Sequence, residues 1–211
     1  MAAPKLILVT GASGFIGGHL CRALAARGDA VRALYRRKEP PLELAALRDT
    51  GTLPDGGAKV ELFNADLGDA GRVREAVRGV GAVIHCAALA TDWGPLEFFV
   101  KANYEATVTL LEASREAGAE TFVYFSSASV HGFGHHVDTT ESGPYFPLKY
   151  PYPITKLMGE EYVLAQNAPA FRTTALRPCN VYGAGDRMST YQMFDAISNG
   201  VFGYIGGGKS L

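Results

Sequence analysis

Leu6-Ile7-Leu8-Val9-Thr10-Gly11-Ala12-Ser13-Gly14-Phe15-Ile16-Gly17 stands near the start of the chain, and its reading decides the fold. An uncharged, strand-length apolar run passes directly into a glycine turn and then into a helical pattern. Glycines at these places permit a tight turn, close approach of a pyrophosphate and close packing of helix on strand. The helix N-terminus adds free N–H groups and the positive end of its dipole. The spacing is GxxGxxG rather than GxGxxG, so its weight comes from its position between strand and helix. Gly11, Ser13, Gly14, Phe15, Ile16 and Gly17 are therefore candidate contacts for a dinucleotide.

Working outward, apolar runs at 5–10, 30–35, 59–63, 82–86, 121–125 and 172–176 read as strands apolar on both faces, the pattern of a parallel sheet covered on both sides. Helical patterns fill 14–27, 70–78, 95–117, 152–166 and 187–199. Six strands alternating with helices predict an α/β fold, a doubly wound parallel sheet of Rossmann type. Residues 36–58, with Pro40-Pro41 and Pro54-Asp55-Gly56-Gly57, and residues 128–151 interrupt the alternation. The second stretch is too long for a simple connection and reads as functional.

The composition narrows the function. The 211 residues are 47% hydrophobic and 19% charged, with 20 basic and 21 acidic side chains and a net charge of −1. That balance provides no basic field for nucleic acid or an anionic membrane. No apolar run approaches the length of a membrane span, and no signal peptide is recognisable, so a cytoplasmic protein is expected. Cys21, Cys86 and Cys179 sit in apolar sequence and read as buried free thiols of a reducing compartment.

The second strand ends in Leu34-Tyr35-Arg36-Arg37-Lys38, with no acid before Glu39. An acid there would suit the ribose 2′-OH of NAD, whereas Arg36 suits the 2′-phosphate of NADP. Asp66, just after the third strand, is placed to accept from an adenine amino group or to form a turn. Tyr-x-x-x-Lys occurs twice. Tyr145/Lys149 has Pro147 at its centre, against a continuous helix. Tyr152/Lys156 opens a helix, with Pro153 where a missing N–H costs nothing. At i and i+4 the phenol and the ammonium share a face, and the cation is expected to lower the phenol's pKa. Moving a tyrosine from ~10 toward ~7 takes about 4 kcal/mol of differential stabilisation. Ser126-Ser127 lies at the carboxyl end of the fifth strand, the edge where open α/β sheets bind ligands.

Taken in order, Thr10-Gly-x-x-Gly-x-x-Gly17, Asp66-Leu67, His85-Cys-Ala-Ala88, Asn103, Ser126-Ser127-x-x-Val130, Tyr152-x-x-x-Lys156 and Leu176-Arg-Pro-x-Asn-Val-Tyr-Gly183 resemble the extended short-chain dehydrogenase/reductases, including the NAD-dependent epimerase/dehydratase type. Asp92-Trp93-Gly94-Pro95 is most similar to the 3β-hydroxysteroid and sterol dehydrogenase branch, and the Arg36 region to the dihydroflavonol-reductase branch. The resemblance implies that Ser127, Tyr152 and Lys156 are catalytic, with Asn103 in support. It implies cofactor contacts at Leu67, Ala87 and Ala88, and at Pro178, Asn180 and Val181 beside the nicotinamide. His131 stands where the family often has tyrosine. Members of the family continue well past this length into a small substrate-binding lobe. Residues 1–211 are accordingly expected to be a single dinucleotide-binding domain without that lobe, marginally stable or self-associating, for instance as a homodimer.

Two further patterns carry less weight. Gly203–Ser210 matches GxxxxGK[ST], but no helix can follow it within this chain. His131, His135, His136 and Asp138 lack a second group at metal-site spacing, so no metal is expected. The expected function is an NADP(H)-dependent oxidoreductase acting on a hydroxyl/carbonyl pair, with NAD as the alternative cofactor. A sugar nucleotide, a sterol-like compound or a small ketone or alcohol would be its substrate. The rivals are a nucleotide-sugar epimerase or dehydratase holding NAD tightly, and a non-catalytic NADP-binding regulator.

Overall fold

The computed structural model describes residues 6–49, 60–91, 93–187 and 190–201. Six strands, β1 (Leu6–Thr10), β2 (Val31–Tyr35), β3 (Val60–Asn64), β4 (Val80–His85), β5 (Thr121–Phe125) and β6 (Arg172–Leu176), form one sheet. Their order is β3-β2-β1-β4-β5-β6 and every pairing is parallel. The order in which strands are added reverses at β1, whose two neighbours are β2 and β4, and ligands bind outside the carboxyl ends of the strands at such a switch point.

Alternation along β1 shows why the apolar runs are continuous. Leu8 packs in one core with Val83, Leu110, Leu111 and Phe122, while Val9 packs in the other with Cys21, Leu24, Val31 and Ala33. The helices α1 (Phe15–Arg27), α2 (Leu42–Ala45), α3 (Ala70–Ala76), α4 (Leu96–Phe99), α5 (Ala106–Glu116) and α6 (Pro151–Ala165) supply the covering layers. The edge strands depart from the expectation of two buried faces. β6 exposes Arg172, Thr174 and Leu176, because an edge needs covering on one side only.

Several elements differ from the sequence reading. The helix expected over 95–117 is three segments, with a π turn at Val100–Glu105 between α4 and α5. Val100, Thr107, Leu110 and Leu111 still fall at helical spacing across it, so periodicity does not reveal it. α2 and the 3-10 turn Ala46–Asp49 fall where only a break was expected. Leu44 and Leu47, 3% and 7% exposed, anchor them to the core despite the prolines before them. Cys21 is buried, but Cys86 is half-buried and Cys179 exposed, so the thiols do not share one environment. The GxxxxGK[ST] stretch, Asp92 and 51–59 lie outside the described residues.

The chain divides into two compact units, Met1–Pro178 and Cys179–Leu211. The second contains α7 (Thr190–Ser198), which starts where Asp186 Oδ2 accepts from Thr190 N at 2.8 Å. Among the described residues no helix is long and apolar enough to cross a membrane.

Candidate active site

At the switch point a cavity of about 770 Å³ opens over the ends of β1, β2, β3 and β4. Gly11, Ser13, Gly14, Arg36, Asp66, Leu67, Ala87 and Ala88 line it, as expected from the sequence. Gly11 has φ +66, and a Cβ there would lie 2.8 Å from Ala87 N, so the turn needs glycine for both backbone shape and room. Gly17 sits beneath the turn, where a Cβ would come within 2.3 Å of Gly11 O. Its part is packing, and neither it nor Phe15 nor Ile16 lines the cavity through a side chain. The first bond into α1 runs from Gly18 N to Gly14 O, and Gly14 gives no side-chain cap. The amides of Phe15, Ile16 and Gly17 thus have no intrahelical acceptor and suit an anion. Free amides at a helix N-terminus suit a diphosphate.

At the end of β2, Arg36 reaches the cavity and is exposed. Asn64 Nδ2 donates to Arg37 O at 2.8 Å and to Tyr35 O at 3.3 Å, which ties this basic segment to β3. Nothing local in the sequence marks Asn64 for that duty. Asp66 Oδ1 accepts from Gly68 N at 2.8 Å, so one of its oxygens forms a turn while the residue also lines the cavity.

α6 begins with Tyr150 as its N-cap and Pro151 and Pro153 in the first turn, which puts Tyr152 and Lys156 on successive turns. Ser127 caps the 3-10 turn Ala128–His131, its Oγ accepting from Ser129 N at 3.2 Å and from Ser129 Oγ at 2.9 Å. The Ser127 hydroxyl also lies near enough to the Tyr152 phenol to favour its ionised form. Burial raises the pKa of Tyr152 and the Ser127 contact opposes that rise. This corrects the sequence expectation of a phenol lowered by its lysine. Lys156 is itself 2% exposed, and desolvation pulls its pKa down to about 7, against the Coulombic influence of Cys86 and Glu160. Neither Tyr152 nor Lys156 lines the cavity under the glycine turn.

Asn103 lies on the π turn and is 1% exposed. Its Oδ1 accepts from Leu89 N at 2.7 Å, and its Nδ2 donates to Leu89 O at 3.2 Å and to Thr155 Oγ1 at 3.1 Å. The side chain so joins the loop after β4 to the first turn of α6. Tyr145 is outside any helix; its hydroxyl donates to Glu141 O at 2.6 Å and its ring stacks on His131. Arg177 holds this loop, donating to Tyr145 Oη, Glu141 O and His131 Nε2, each at 2.9 Å, while pairing with buried Glu160. Thr155, Glu160 and Arg177 escaped the sequence reading, since the bonds that use them join distant segments. Pro178 O accepts from Ala128 N at 3.0 Å, whereas Asn180 and Val181 belong to the second unit. Among the described residues no group of three or more His, Cys, Asp or Glu is placed to hold a metal. His131 and His136 are engaged with Arg177 and Gly132 O respectively.

Comparison with known proteins agrees with this architecture. The sequence model of the NAD dependent epimerase/dehydratase family matches residues 7–204. The chain is 34% identical over 208 residues to the 2-alkyl-3-oxoalkanoate reductase of Stenotrophomonas maltophilia (strain K279a), covering 97% of this chain and 59% of that protein. It is 34% identical over 207 residues to the UDP-glucose 4-epimerase of Erwinia amylovora, covering 94% and 60%. The solved structure of MoeE5 in complex with UDP-glucuronic acid and NAD superposes with a TM-score of 0.74 at 33% identity, over 90% of this chain and 60% of that one. The chain therefore spans about three-fifths of the length of these relatives.

Proposed function

Because the chain belongs to the NAD dependent epimerase/dehydratase family, we propose that it carries the cofactor site and the proton-transfer residues of an NADP(H)-dependent oxidoreductase acting on a hydroxyl/carbonyl pair. The observation that carries this reading is the nearness of Ser127 to the Tyr152 phenol, with Lys156 one turn further along α6. When bound, the nicotinamide supplies or accepts the hydride. In the reducing direction Tyr152 gives its proton to the carbonyl oxygen as the carbon gains the hydride. In the oxidising direction it takes the hydroxyl proton back. Ser127 donates a hydrogen bond to the same oxygen and orients it. Lys156, when charged, stabilises the phenolate that remains. Arg36, at the rim of the cavity, is assigned to the 2′-phosphate.

On the substrate side, Trp93 and Phe133 are 75% and 71% exposed, and each meets the Tyr150 ring edge-on, at 5.2 and 5.7 Å. Three aromatic rings beside the first turn of α6 support a substrate with an apolar body. A second reading, an epimerase that oxidises and re-reduces one sugar nucleotide on tightly held NAD, is favoured by the likeness to the UDP-glucose 4-epimerase and to the MoeE5 complex. Net consumption of NADPH separates the two. The proposal expects it with apolar ketones; interconversion of UDP-sugars without net change in cofactor would replace it with the second reading.

A further inference from the structure

Three buried side chains, ending on the backbone carbonyl of a fourth buried residue, form a chain of hydrogen bonds with one direction. Thr10, His85 and Thr107 are 0% exposed and Asn103 is 1% exposed. Thr107 Oγ1 donates to Asn103 O at 2.6 Å, which uses its only proton. The 2.9 Å contact between His85 Nε2 and Thr107 Oγ1 must then be donated by the imidazole. Nδ1 is left as an acceptor, so the 2.7 Å contact to Thr10 Oγ1 is donated by the hydroxyl. Thr10 Oγ1 in turn accepts from Ala87 N at 3.2 Å. The series runs from the wall of the nucleotide cavity, against which Gly11 packs, across β1 and β4 to the π turn.

We propose that His85, as a neutral Nε2–H imidazole joining Thr10 to Thr107, is a positioning residue that sets the π turn and Asn103 against the nucleotide cavity. The wall between the two sites is then held twice, at Ala87 through Thr10 and at Leu89 through the Asn103 side chain. Asn103 also grips Thr155, so the register of the wall reaches the turn of α6 that bears Tyr152. Burial and the nearby Lys156 charge hold the pKa of His85 down to about 3, so the imidazole works as a fixed dipole and shuttles no proton. No relative's name and no step of the proposed reaction assigns a part to His85. The inference rests on the proposed reaction only where turnover is the readout.

Nitrogen-15 NMR of the imidazole decides the first half in the chain alone. The expected result is one Nε2–H tautomer whose shifts do not change from about pH 5 to 8. An Nδ1–H tautomer, or titration in that range, overturns the proposal. Thr107→Val, near-isosteric but without the hydroxyl, decides the second half, with Thr107→Ser as the rescue. Thr107→Val is expected to speed hydrogen exchange at Leu89 N and to lower kcat ~10-fold, a loss of about one hydrogen bond, with KM and NADPH affinity within about twofold. Thr107→Ser should restore both. Unchanged Leu89 exchange in Thr107→Val, or loss that Thr107→Ser does not restore, contradicts the positioning role. Absence of turnover in the wild type would overturn the proposed reaction and leave the tautomer and exchange results to decide this one.

Discussion

Lys156 Nζ lies 4.1 Å from the centre of the Tyr124 ring, so its charge faces an aromatic surface in a site that is otherwise nearly dry. A ring face offsets only part of the hydration that an ammonium loses. That imbalance is why its pKa falls to about 7.

A pH dependence of stability follows. Between about 7 and the ordinary value of 10.5, the unfolded chain binds a proton at Lys156 that the native state does not. Stability therefore rises with pH across that interval, and the penalty is present in full below it. Above pH 9 the trend is opposed by Cys21 and Cys86, whose pKa values burial lifts to about 12. Lys156→Met should stabilise the chain at pH 6.5 by at least ~1.4 kcal/mol, the value of one pKa unit, and flatten the rise between pH 7 and 9. Urea titrations of both proteins across that range measure it; equal slopes would show that Lys156 is charged in the native state.

Arg177 and Glu160 form a second test. Their side chains are 15% and 3% exposed, and Arg177 Nε lies 3.0 and 3.1 Å from the two carboxylate oxygens. Arg177→Met strands Glu160 without its cation and should cost about 3–5 kcal/mol. It should also free the segment from His131 to Tyr145, seen as new cleavage in limited proteolysis. Pairing it with Glu160→Leu should recover most of the stability but not the protection of the loop. Proteolysis unchanged from wild type would mean that other contacts hold the loop.

At Gly159, α6 packs closely on Tyr124 of β5. A Cβ there would lie 2.5 Å from Tyr124 Oη and 3.0 Å from its Cζ. Gly159→Ala, although it favours helix, should destabilise by about 1–3 kcal/mol through overpacking. A midpoint equal to or above wild type in urea would show that Tyr124 yields freely.

Legibility from sequence divides along physical lines. The β1 to α1 turn could be read because each glycine has a local reason, and the central strands because both of their faces are buried. The π turn could not, since Val100 at its start and Leu110 and Leu111 beyond it keep helical spacing. The link from Asn103 to Thr155 joins residues 52 apart in sequence and leaves no pattern in either segment. The state of Lys156 is not legible in sequence for a related reason. Spacing places it beside Tyr152, but only the packed structure shows how little water reaches it.

The proposed preference for NADP rests on Arg36, the one cation of the Arg36-Arg37-Lys38 run that lines the cavity. NADPH should bind the wild type roughly 10–150-fold more tightly than NADH, the range of a charge-assisted phosphate contact of about 1.5–3 kcal/mol. Arg36→Ala should remove most of that difference. Fluorescence titration with both cofactors measures it, and equal curves for the wild type would transfer the assignment to NAD.

The most direct test of the account compares single turnovers of Tyr152→Phe and Tyr145→Phe, each with NADPH and a ketone that the wild type reduces. Removing the Tyr152 hydroxyl should abolish reduction while leaving NADPH affinity within about twofold, since a transition-state proton donor adds little to ground-state binding. Removing the Tyr145 hydroxyl, which serves Glu141 O and Arg177, should leave the chemical step largely intact. Reduction by Tyr152→Phe at the wild-type rate would contradict the assignment of Tyr152 as the proton donor.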